Sequence, residues 1–176
     1  MNETLTVYTM NLSYNTLEDR LSLLLTNDEQ SINLWLTRSL TQRLLKGLSD
    51  LLVHQSDVES QQAKAREAAT IMEHLAITQR HSQSPDTLAA DTPTPIHRGL
   101  LTKVDIQYSP NQYQLLFFAQ DTCIAQMPTG RAGLHRIIDL FERMSERANW
   151  QLIDVNLGWL ARKETALADM PVVGHC

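Results

Sequence analysis

The sequence predicts an α+β protein made of two β-hairpin-plus-helix units, with antiparallel strands and helices packed on one side. Three observations carry that reading. In 19–52, apolar residues alternate with polar ones on both sides of a short polar turn, then switch to helical spacing. The same switch recurs in 103–148. Between them, 83–99 holds Pro85, Pro93 and Pro95 among Ser, Thr, Asp and Ala, the composition of a linker or surface loop. The predicted units are therefore 1–82 (strand, hairpin and two helices), 83–99 (linker), 100–160 (hairpin, helix, strand) and 161–176 (tail).

Taken in order, 3–10 is rich in Thr, Val and Tyr and reads as a strand with Leu5 and Val7 on one face. Leu21, Leu23 and Leu25 alternate with Ser22 and Thr26, while Leu24 interrupts the polar face and predicts cover on both sides. After the turn Asn27-Asp28-Glu29-Gln30, the apolar set is Ile32, Leu34 and Leu36. At Thr37 the period changes. Leu40, Leu44, Leu48 and Leu51 recur at helical spacing behind a threonine suited to capping. Gly47 inside this helix predicts a close packing contact, because glycine otherwise only weakens a helix.

A second helix is expected over 61–82, Ala-rich, with a small apolar face of Ala68, Ile71, Met72, Leu75 and Ala76. Such a helix packs closely on the first or pairs with another copy. Past the linker, Val104, Ile106 and Tyr108 mark one strand and Tyr113, Leu115 and Phe117 the next. Cys123, Ala125 and Met127 mark a third, which Pro128 ends while Thr129 caps the following helix. Leu134, Ile137, Ile138, Phe141 and Met144 form the strongest apolar stripe, opposite Arg136, Asp139, Glu142, Arg143, Glu146 and Arg147. A last strand is expected over 151–157, and the tail after Arg162 carries no pattern before Val172.

The two units fall into step. Leu44, Leu45, Leu48 and Leu51 match Ile137, Ile138, Phe141 and Met144, and Arg38 and Arg43 match Arg131 and Arg136. Internal duplication explains this, and so does convergence on a common way of covering one sheet face. Trp35 and Lys46 have no counterpart; Pro128 and Asp139 stand there instead.

Composition narrows the function classes. A 43% apolar and 20% charged chain of 176 residues is that of an ordinary globular domain, and a net charge of −5 argues against broad phosphate binding. Two cysteines, Cys123 and Cys176, make no disulfide framework. No secretory pattern opens the chain and no run spans a bilayer, so the expected location is the cytoplasm, away from membranes. Asn2 and Asn11 match a glycosylation pattern by chance on that reading.

No GxSxG elbow, P-loop or GxGxxG is present. His74 and His81 lie two helical turns apart, too far to share one ion, and His54 and His135 have no partner nearby in sequence. No metal or cofactor is expected. The turn 128–133 could hold an anion through its amides and Arg131, and equally reads as a strand stop and helix start. The segment 31–49 contains Arg38, Arg43 and Lys46 and no acid.

The function expected is a non-catalytic protein-interaction or accessory subunit, meeting a protein partner or a second copy through helix 61–82. One alternative is a nucleic-acid-associated accessory protein using the basic helix face; another is a small enzyme with its site between the halves. The candidate partner or anion contacts are Trp35, Arg38, Arg43, Lys46 and Arg131.

Overall fold

The computed structural model describes residues 4–56, 62–82, 94–110 and 112–168, and its α+β architecture is the one expected. Strands β1 (Leu5–Thr6), β2 (Thr9–Asn15), β3 (Arg20–Thr26) and β4 (Ser31–Leu36) lead into helices α1 (Arg38–His54) and α2 (Ala63–Ser82). Strands β5 (Pro95–Leu100), β6 (Lys103–Ser109), β7 (Gln112–Ala119) and β8 (Thr122–Thr129) lead into α3 (Arg131–Arg147). A 3-10 turn (Val155–Leu157) and α4 (Trp159–Ala168) follow.

Two four-stranded sheets result, ordered β1-β8-β7-β6 and β2-β3-β4-β5. Each is an antiparallel meander from one half of the chain, plus one parallel strand from the other half. Thus β1 leaves its own meander to lie beside β8, and β5 leaves its own to lie beside β4. The crossing points correspond: Val7 N–H donates to Gln126 O and Leu101 N–H to Trp35 O, each at 2.9 Å. The next residues return to their own meanders, Tyr8 N–H to Thr26 O and Thr102 N–H to Phe118 O. Val7 and Leu101 are both buried, so each exchange is fixed by apolar burial as well as by the ladder.

The inward rows Leu21, Leu23, Leu25, Leu34 and Leu36, and Tyr113, Leu115, Phe117 and Met127, join the stripes of α1 and α3 in one continuous core. Helix α3 reaches across to β2, and α1, α2 and α3 pack on one another. Trp150, just beyond α3, stacks edge-on against Tyr14 of β2, and both donate to Asp19 Oδ1. Thr37 caps α1 as expected, accepting from Leu40 N–H at 3.2 Å.

Several expectations are corrected. The strand expected over 151–157 does not form: Gln151 has a left-handed backbone, and the Asp154 carboxylate accepts from Asn156 N–H, pulling the chain into the 3-10 turn. Helix α4 starts ahead of the expected tail, with Trp159 and Leu160 buried, and runs into it as far as Ala168. Part of the expected linker is strand β5; 83–93 lie outside the described residues. Gly130, not Thr129, is the N-cap of α3 and supplies no side-chain bond. A Cβ at Gly47 would meet nothing within 4 Å, so that glycine serves no close contact. Glu142, placed by its charge on the wet face of α3, is 4% exposed.

Candidate functional site

The conspicuous chemistry lies inside the molecule, where α2, α3 and α4 meet. Six charged or titratable side chains run in series through this seam. Arg131 Nε donates to both oxygens of Glu73, at 2.8 and 2.9 Å. Glu73 Oε2 lies 3.3 Å from His135 Nε2, and His135 Nδ1 lies 3.2 Å from His74 Nδ1. His74 Nε2 lies 3.5 Å from Glu142 Oε2, and Lys163 Nζ donates to Glu142 Oε1 at 2.6 Å. His74, His135 and Glu142 are all at most 4% exposed.

Helical spacing puts these groups on facing surfaces. On α3, Arg131, His135 and Glu142 follow one another at four and seven residues, along the side that meets α2. On α2 the buried face is Thr70, Ile71 and His74, turned away from the Ala68–Met72–Ala76 line that remains exposed. Trp159 of α4 closes the cluster, its ring 5.1 Å from that of His74, and its indole N–H donates to Ser49 O of α1.

Burial and pairing compete at every member. Burial pushes the Glu73 carboxyl upward, but Arg131 and His135 outweigh it and hold it below the usual carboxylate range. At Glu142 burial is likewise outweighed, by His74 and Lys163, and the result is again a lowering. At His135 burial wins: the imidazole is pushed down to about 4, with the Glu73 charge opposing and His74 and Arg131 reinforcing. Two contacts remain imperfect, since His135 Nε2 and Glu142 Oε2 lie close to their neighbours without making a hydrogen bond.

A cleft of about 580 Å³ reaches this seam from outside, with Glu142, Ser145, Glu146, Asp154, Leu160 and Lys163 on its walls. Another, of about 590 Å³, lies at the end of the β6–β7 hairpin among Tyr108, Tyr113, Gln114 and Thr129. Among the described residues, no group of three or more His, Cys, Asp and Glu converges as metal ligands would. Cys123 is half-buried on β8, and Cys176 lies outside the described residues.

The five residues singled out by sequence do not form one site. Arg131 is consumed internally: besides Glu73, its Nη1 and Nη2 donate to Gln55 O and Leu52 O, closing the carbonyl end of α1. It therefore acts as a cap on α1. Lys46 pairs with Asp50 at 3.0 Å on the surface. Arg38 and Arg43 are exposed on α1, and Trp35 is half-buried on β4.

Trp35 belongs to the outer face of the β2–β5 sheet. Its ladder neighbours are Ser22 and Leu100, and Leu24 sits in the next row beside Asn11 and Asn33. Leu24 is half-buried and Leu100 is 43% exposed, so an apolar patch stands among Asn11, Ser13, Ser22 and Asn33. Polar side chains are tied together on both outer faces: Ser22 donates to Asn33 at 2.6 Å on this one, and on the other Gln114 donates to Gln126 and Gln126 to Thr6. The faces differ in their aromatic ring, since Lys103 lies over the Phe118 ring at 4.2 Å on the other sheet.

Sequence reasoning saw Glu73, His74 and His135 but not their meeting, because the two histidines are 61 residues apart. One usable signal was present: His135 and Glu142, seven residues apart, flank the apolar stripe of α3. No protein-family model matches the chain, and neither does any curated protein or solved structure.

Proposed function

We propose that this chain is a non-catalytic protein-binding or accessory protein, and that it meets its partner on the outer face of the β2–β5 sheet. The observation that carries the reading is the contrast between the sheets. Both outer faces tie polar side chains to one another, but on one the Phe118 ring lies under Lys103, while the other presents Trp35 with Leu24 and the 43% exposed Leu100 in a polar surround. A tryptophan ringed by polar residues is the usual anatomy of an interface anchor. Arg38 and Arg43 are exposed on the helix that follows β4, which favours a partner with an apolar surface and an acidic flank.

The buried seam supports the same conclusion by its use. Its acids and bases pair with one another and join the helices, leaving them little freedom to serve a substrate. A second reading, a homodimer through α2, rests on the exposed line Ala68, Met72 and Ala76, where Met72 is 50% exposed.

The two surfaces separate experimentally. A photo-crosslinker beside the Trp35 patch should trap a partner that Trp35→Glu loses and Met72→Glu keeps. If the α2 reading holds instead, sedimentation shows a dimer that Met72→Glu dissociates and Trp35→Glu does not. A chain that stays monomeric and traps nothing beyond the Trp35→Glu control rejects both.

A further inference from the structure

We propose that the His74–His135 pair is a single-proton switch in the α2–α3 seam: it accepts one proton, shared between two facing Nδ1 atoms, and a second proton drives α2 off α3. The argument is a count of protons. Three contacts run from Glu73 through the two imidazoles to Glu142. With both carboxylates ionised, each contact needs one proton, and that proton must sit on nitrogen. Two neutral imidazoles bring only two. The array is thus one proton short, and its unbonded atoms, His135 Nε2 and Glu142 Oε2, lie at its two ends.

Uptake of one proton completes the chain. Both Nε2–H groups then face their glutamates, and the remaining proton lies between the Nδ1 atoms, 3.2 Å apart. A fourth proton is a different matter, because it sets N–H against N–H in a fully buried contact. The groups facing the pair are Glu73 from α2, Arg131 and Glu142 from α3, and Lys163 from α4, with Trp159 between. Tyr113 of β7 faces Arg131. Of the two rings, His135 lies beside the Arg131–Glu73 pair, and burial holds it down to about 4.

The direction with pH follows. An unfolded imidazole takes its proton near about 6.5. Folded His135 refuses one until about 4, so its contribution to stability is lost as pH falls across that window. The cleft beside Glu142 and Lys163 gives solvent protons a way in.

Long-range ¹H–¹⁵N spectra of the imidazoles, assigned through contacts to the Trp159 indole, test this between about pH 8 and about pH 4. One ring of the pair should gain a second N–H in the folded protein. The other should gain it only as the amides of α2 lose protection from exchange. Titration of both rings in the folded state, or of neither, overturns the proposal. Glu142→Gln keeps an acceptor and removes a charge, so the uptake midpoint should move about one unit toward acid, a tenfold weaker proton affinity. An unmoved midpoint also overturns it.

Discussion

At the scale of the residue, burial decides what a charge is worth. Glu142 and Asp50 each pair with a lysine, Lys163 at 2.6 Å and Lys46 at 3.0 Å. Glu142 is 4% exposed, whereas the Asp50 side chain is 50% exposed and its attraction is largely spent against water. Removing Glu142 also leaves the buried His74 Nε2 without its neighbour, while the half-buried Lys163 loses its carboxylate. Glu142→Ala should therefore destabilise by about 3 kcal/mol, and Asp50→Ala by less than about 1 kcal/mol. Urea unfolding of the two variants at neutral pH checks the ratio. Equal costs would show that the seam is hydrated and that its pairs behave as surface pairs.

At the scale of the element, the local pattern was legible where one period held for a whole segment. The meanders and the stripes of α1 and α3 follow from alternation and helical spacing, and both helices run for 17 residues. Strand β5 was not legible: Pro95, His97, Arg98 and Gly99 have no strand composition, and it forms because β4 offers an edge. The buried face of α2 was misread because His74, not Met72, turns inward, a polar choice that makes sense only once His135 is opposite. That is why the fold could be read and the seam could not. Gly47 is the remaining puzzle of α1, since it is exposed and nothing in the structure requires it. Gly47→Ala should stabilise the protein by about 0.5–1 kcal/mol through helix propensity alone. A thermal melt reads this directly, and a loss of stability would rule out helix propensity as the whole effect.

At the scale of the whole molecule, the two halves share an order of elements and a mutual dependence. Each gives its first strand to the other's sheet, and each marks the crossing with a buried aliphatic residue, Val7 or Leu101. The exchange also sets how the chain folds. Without its partner, each meander exposes the edge meant for the borrowed strand, and α3 loses its packing against β2 and α2. Fragments 1–82 and 94–176 should accordingly lack cooperative unfolding when separate and regain it when mixed in equal amounts. Recovery should depend on concentration, because the intact chain supplies as effective concentration what two pieces must find by diffusion. Circular dichroism melts of each fragment and of the mixture decide the matter: a fragment that melts cooperatively alone would show that the borrowed strand is an ornament on an independent domain.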